Sequence, residues 1–220
     1  MKPATPAQLR AFILSNTAVK PVPLVPEVSL HLADEASALW SKTAEELDDA
    51  GLPAPYWAFA WAGGQALARY VLDHPQHVRG RSVLDLGSGS GLVAIAALKA
   101  GAASVLCVDP DPFSLAAAAL NLALNGVEAG TSDQDVLGGD AAPFAIVLIG
   151  DLFYEAPVAA RVHGLCTRAA ARGAQVLAGD PGRSYFPREA FSPLARYGVP
   201  DAGALEDADI KATAVWTFSG

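Results

Sequence analysis

The stretch RSVLDLGSGSGLVAIAALKAG, Arg81 to Gly101, decides the fold. Its first part, SVLDL, is the short apolar run of a buried strand, and it leads into Gly87, Gly89 and Gly91. A turn this tight needs residues without a Cβ, both to reach unusual φ/ψ and to let a ligand touch the backbone. A helix is predicted from about Ser90 to Lys99, stopped by Gly101, with its first amides aimed back at the turn. A dinucleotide turn of the form G-x-G-x-x-G would have its third glycine at position 92, which here is Leu92. The pattern is D-x-G-x-G-x-G instead.

Outward from this stretch, strand and helix alternate. SVLCVD is a second strand; Asp111 can cap the next helix, Pro112 takes its first position, and Asn125-Gly126 ends it. AIVLIGD and AQVLAGD read as strands flanking the helix APVAARVHGLCTRAAARG. PREAFSPLARYG reads as a further helix and KATAVWTF as a last strand. A third strand is expected within VEAGTSDQDVLGGD, although few β-formers are present. The class is therefore α/β, a doubly wound, mostly parallel sheet.

Upstream, prolines 21, 23 and 26 make VKPVPLVPEVSLHL extended, and ADEASALWSKTAEELDDAG reads as a polar-faced helix ending at Gly51. LPAPYWAFAW is dense in aromatics and prolines. GGQALARYVLDHP reads as a helix with Leu67, Tyr70, Val71 and His74 on one face. We expect residues 1–52 to be an extension packed on a catalytic domain spanning 53–220.

With 220 residues, 52% of them hydrophobic, the chain can bury a full core. Net charge is −8 and no Lys/Arg cluster offsets it, which argues against nucleic acid or an anionic membrane as partner. The four-residue apolar run Ala11–Leu14 is too short for a signal peptide, and no stretch suits a membrane span. Cys107 and Cys166 sit in apolar contexts and read as buried free thiols. His31, His74, His77 and His163 lack metal-ligand spacing, so no metal site is expected. Together these features suggest a cytoplasmic protein.

Two acids frame the glycine turn. Asp85 lies two residues before Gly87 and is expected to face the ligand, where a carboxylate opposes a pyrophosphate but suits an ammonium. Asp109 ends the second strand eighteen residues beyond Gly91, where an acid can accept from both ribose hydroxyls. An acid for an amine, a glycine turn and an acid for a ribose describe S-adenosylmethionine better than NAD.

These residues resemble the seven-strand S-adenosylmethionine-dependent methyltransferases over roughly Pro53 to Phe218. The resemblance implies seven strands with the last inserted antiparallel. It assigns Asp85 to the methionine end, Asp109 with Pro110 to the ribose, and Gly87 and Gly89 to the cofactor turn. It gives Asp135, with Val136 beside the ring, to the adenine, with Asp140 as runner-up. The segment from Trp61 through Gly63 to Gln65 is expected to close over the cofactor.

The stretch IVLIGDLFYEAP bears on the acceptor. Lysine has a pKa near 10.4, so about one amine in a thousand is unprotonated at neutral pH, a deficit of roughly 4 kcal/mol. An aromatic-walled channel lessens it, and a carboxylate with a phenol can aim the amine. Asp151, Phe153 and Tyr154 offer these groups; the plainer reading makes Asp151 a helix cap and the aromatics core. An acid followed three residues later by Tyr or Phe resembles the protein-lysine branch of the fold. GDLFYE, GDPGRSYFPR and LEDADIKATAVWTF look most like the lysine methyltransferases of the electron-transfer flavoprotein beta subunit, which implies that subunit as protein substrate. A ribosomal protein or a small amine is the alternative acceptor. Arg183, Tyr185 and Arg188 lie at the same sheet edge and read equally well as substrate contacts or ordinary loop.

Overall fold

The computed structural model describes residues 5–33, 54–200 and 210–220. The helix expected to end at Gly51, and Trp40 within it, fall outside them. Helix α1 (Pro6–Asn16) starts in a capping box: Gln8 N–H donates to the Thr5 hydroxyl while the Gln8 side chain accepts from Thr5 N–H. The proline-rich segment then forms a hairpin, β1 (Ala18–Val22) and β2 (Val25–Leu32). Next come α2 (Ala62–Asp73), β3 (Ser82–Leu86), α3 (Leu92–Lys99), β4 (Ser104–Val108) and α4 (Pro112–Leu124). The remainder is β5 (Gly130–Ser132), β6 (Ile146–Gly150), α5 (Ala156–Ala171), β7 (Gln175–Asp180), β8 (Phe191–Pro200) and β9 (Ile210–Phe218).

Strands β3 to β9 form one seven-stranded sheet ordered β5-β4-β3-β6-β7-β9-β8. Neighbours from β5 through β7 run parallel, and β9 is inserted antiparallel between β7 and β8. Strand order reverses between β3 and β6, so helices diverge to opposite faces there and leave a crevice at the strands' carboxyl ends. The weak β-formers around Gly130 yield only three residues of β5, enough to pair with β4.

One expected element is wrong. PREAFSPLARYG is not a helix: after a single 3-10 turn at Arg188–Ala190 it becomes β8. Pro193 opposes helix, and at the sheet edge a proline needs no ladder donor on its open side; the register shifts between Pro193 and Ala195. The helix GGQALARYVLDHP forms as α2, ending at Asp73 with His74 as its C-cap.

On one face, β1–β2, α2 and α3 bury Val22, Val25, Leu30, Leu67 and Ile95 against Val83, Ile146 and Leu177. On the other, Val162, Leu165 and Cys166 of α5 cover Val147, Ile149 and Val176. A third cluster joins α1 to α4 through Ile13, Trp57 and Phe113, with Trp57 stacked on Phe113 at 6.1 Å. Trp57 is thus core. Cys107 and Cys166 are buried free thiols.

Candidate active site

A cleft of about 630 Å³ opens at the carboxyl ends of β3, β4, β5 and β6, within the size range of small-ligand sites. Gly87 and Gly89 line it, with φ of +66° and +48° that only glycine adopts without strain. The turn is tied to β4: Gly87 N–H donates to Val108 C=O (2.8 Å) and Gly89 N–H to Asp109 Oδ2 (2.9 Å). A Cβ on Gly89 would meet nothing within 4 Å, so this backbone is open to a ligand.

Asp109 and Pro110 line the cleft. Asp109 Oδ1 also accepts from Asp111 N–H (3.0 Å). Burial raises its pKa against these bonds. Asp85 does not line the cleft as the sequence suggested. It is 1% exposed and turns its carboxylate to the first turn of α3, accepting from Ala94 N–H at 3.1 Å. Burial pushes its pKa to about 7, aided by the charge of Asp109.

At the other end of the cleft lie Asp135, Val136 and Leu137. Asp135 pairs with Arg161 (2.5 Å), which holds its carboxyl below the usual range, and it accepts from Leu137 N–H (3.0 Å). The runner-up Asp140 lies away from the lining, near Arg172 (3.8 Å). Of the two candidates that the sequence left open, Asp135 lines the cleft and Asp140 does not.

Between these ends, Asp151 follows β6 with φ +62°, rare for a residue bearing a Cβ. Its N–H donates to Gly179 C=O (2.9 Å). Oδ2 accepts from Gly63 N–H (3.0 Å) and Oδ1 from Arg183 Nε (2.6 Å). Asp180 at the end of β7 shapes the loop that returns Arg183: its Oδ1 accepts from Gly182 N–H (2.6 Å) and Arg183 N–H (2.8 Å). Burial, with the Asp151 charge nearby, raises Asp180 to about 6.

Gly63 was expected at the cofactor, but it lies behind the cleft. A Cβ there would fall 2.3 Å from Gly179 C=O, so its role is to let α2 touch the sheet backbone. Phe153 is also corrected. It is fully buried against Phe186 (5.1 Å) and Phe191 (6.1 Å), while the adjacent Leu152 and Tyr154 line the cleft. Chain direction alternates across this loop, and the middle aromatic points into the core.

Tyr154 packs at 5.3 Å on Tyr56, and burial raises its phenol to about 12, so it stays protonated. Trp61 caps the start of α2; its ring N–H donates to Tyr56 C=O (2.8 Å), and the Arg183 guanidinium lies 5.9 Å from its ring centre. Tyr56 and Arg183 complete this wall. Tyr56 was hidden in an aromatic block with no spacing to single it out, and the Asp151–Arg183 pair joins residues 32 apart. Tyr185 is half exposed and Arg188 lies over Trp216, outside the lining.

The family model described as ribosomal protein L11 methyltransferase (PrmA) matches residues 65–148. The chain is 39% identical over 215 residues to the electron transfer flavoprotein beta subunit lysine methyltransferase of Xenopus laevis, covering 95% of this chain and 86% of that one. It is 38% identical over 218 residues to the protein of the same name from Danio rerio, covering 96% and 83%. Its fold matches that of SMU.776, solved with SAH, at a TM-score of 0.52 and 14% identity, over 72% of this chain and 50% of that one. The chain belongs to the electron transfer flavoprotein beta subunit lysine methyltransferase family, a branch of the class I S-adenosylmethionine-dependent methyltransferases.

Proposed function

We propose that this enzyme methylates lysine side chains of the electron transfer flavoprotein beta subunit, and that it works in the cytoplasm. The observation that carries the reading is the wall formed by Tyr56, Trp61 and Tyr154 around the Asp151 carboxylate, beside the glycine turn. An alkylamine can pass between aromatic faces and meet a hydrogen-bond acceptor there. The extent of similarity supports the same substrate: relatives of that name match 95% of the chain or more, whereas the ribosomal-protein family model stops at residue 148. Among the described residues no helix is long and apolar enough to cross a membrane.

The cleft suits S-adenosylmethionine by its donor set. Asp109 offers lone pairs to a diol, the open Gly89 backbone admits close approach, and Val136, Leu137 and Val158 make an apolar slot beside Asp135. We assign Asp109 and Pro110 to the ribose, Asp135 and Val136 to the adenine, Gly87, Gly89 and Trp61 to cover, and Asp85 to support of the turn. When bound, S-adenosylmethionine supplies an electrophilic methyl on a sulfonium. Asp151 and Tyr154 orient the acceptor nitrogen, and the walls exclude water. We also propose that 1–52 is an extension to a catalytic domain, 53–220; its described part, 5–33, packs on that domain.

The test is transfer of labelled methyl to purified beta subunit, with mass spectrometry of the product. Label on lysine, lost by at least a hundredfold with Asp151→Ala while cofactor affinity stays within a few-fold, is the expected result. Normal turnover by the Asp151→Ala enzyme would refute the site.

A further inference from the structure

A bare carboxylate beside a lysine is a poor device for methylation. It stabilises the ammonium form and deepens the roughly thousandfold shortage of neutral amine. In this site the carboxylate is not bare. Arg183 Nε reaches Asp151 Oδ1 at 2.6 Å, and the guanidinium rests 5.9 Å from the centre of the Trp61 ring. The pair is well shielded, Asp151 having 2% and Arg183 24% of its side chain exposed. The loop delivering Arg183 is itself built, through the two backbone bonds to Asp180.

Resting on the lysine-methyltransferase reading above, we propose that Arg183 is a positioning residue for methyl transfer. Its guanidinium, held between Asp151 and Trp61, cancels the carboxylate charge beside the acceptor and so keeps the lysine amine in its reactive neutral form. Asp151 can then accept a hydrogen bond from the amine through a remaining lone pair, fixing direction without fixing a proton. Among the described residues, the other titratable groups near this point are Asp109 and Asp111 after β4, Tyr154 and Glu155 after β6, Asp180 after β7, and Tyr56 before α2. The acids among them favour the ammonium, and Arg161 faces Asp135 at the far end. Among the described residues, Arg183 is the cation placed to oppose them.

The step balances. The lysine ammonium releases one proton to solvent as it is bound. The nitrogen lone pair forms the N–C bond while the C–S bond breaks and its electron pair stays on sulfur, leaving a neutral thioether. The positive charge passes to the methylated ammonium, which can lose a further proton to solvent before another round.

The test is the single-turnover rate constant at saturating beta subunit, followed from neutral to strongly alkaline pH, because this reports ionisation in the bound complex. Wild type is compared with Arg183→Gln, Arg183→Lys and Arg183→Met; the Met stem can still pack on Trp61 if the Gln variant fails to fold. The neutral variants are expected to move the acid limb upward by about one pH unit, giving a tenfold loss below the midpoint and recovery above it. The Lys variant keeps the charge and is expected to hold the wild-type midpoint. Affinity for S-adenosylhomocysteine, measured by calorimetry, is expected to stay within about threefold in all three variants, well under 1 kcal/mol.

A uniform rate loss at every pH, or a neutral variant dead throughout, would overturn the proposal and leave Arg183 a structural role. A Lys variant shifted as far as Gln would overturn it too, as would a tenfold loss of cofactor affinity. Failure of the wild-type enzyme to methylate any lysine of the beta subunit would instead remove the underlying reading, and this proposal with it.

Discussion

Asp109 and Asp85 are two acids on adjacent strands with different surroundings. Asp109 lines the cleft and accepts two backbone N–H groups that shape the glycine turn. Asp109→Ala is expected to weaken S-adenosylmethionine binding tenfold to a hundredfold, from about 1.5–3 kcal/mol for hydrogen bonds to a charged group, as read by calorimetry. Unchanged affinity would remove the ribose assignment. Asp85 is enclosed, with its pKa raised to about 7. Its unfolded value is near 3.9, so the folded chain keeps a proton that the unfolded chain releases between the two values. The stabilisation is complete below about pH 4 and is lost as pH rises to about 7. Asp85→Asn is expected to flatten this part of the melting profile, and an unaltered slope would contradict it. The sequence showed both acids by their offset from the glycines, but offset alone does not reveal which way a side chain turns. For the same reason it showed Asp151 and Tyr154 but misassigned Phe153, whose direction is set by the aromatic cluster of Phe186 and Phe191.

Helix α2 shows what an element contributes to the site. Gly63 and Gly64 let it approach the sheet until the backbone of Gly63 meets Gly179, and Gly64 meets Gly150. That contact brings Gly63 N–H to Asp151 and Trp61 to the mouth of the cleft. Gly63→Ala would place a Cβ 2.3 Å from a carbonyl oxygen, which must force the helix outward. We expect a loss of about 1–3 kcal/mol in stability, read by denaturant unfolding, together with weakened methyl transfer. A variant as stable and active as wild type would show that the contact is not required. The helix was legible from its 3.6-residue period, yet the glycines read as cofactor contacts, because sequence does not distinguish close backbone packing from close ligand approach. β8 was missed for a related reason. Its apolar residues fit a helical face as well as a strand, and the antiparallel partner that decides the matter, β9, lies further along the chain.

At the scale of the molecule, α4 joins the N-terminal hairpin to the glycine turn. Asn121 is fully buried, accepting from His31 N–H (2.8 Å) on β2 and donating to Ser90 C=O (2.8 Å). Asn125 makes the matching pair with Ser29 (3.2 and 2.7 Å). Asn121→Ala would orphan one buried and one part-buried backbone group, at about 2 kcal/mol in total, and lower Tm by roughly 4–8 °C. A melting temperature equal to wild type would show that water replaces the amide. The alternation of strand and helix made the parallel sheet legible, because a βαβ unit admits few topologies. The anchoring of the hairpin was not legible, since it depends on two asparagines some 90 residues away.

The measurement that tests the function most directly uses beta subunit isolated from cells carrying the wild-type gene and from cells carrying Asp151→Ala. Lysine methylation of the subunit is compared by mass spectrometry. We expect one or more methylated lysines with the wild-type gene and unmodified lysines at the same positions with the variant. Identical methylation in both, or none in either, would contradict the assignment of this site to that substrate.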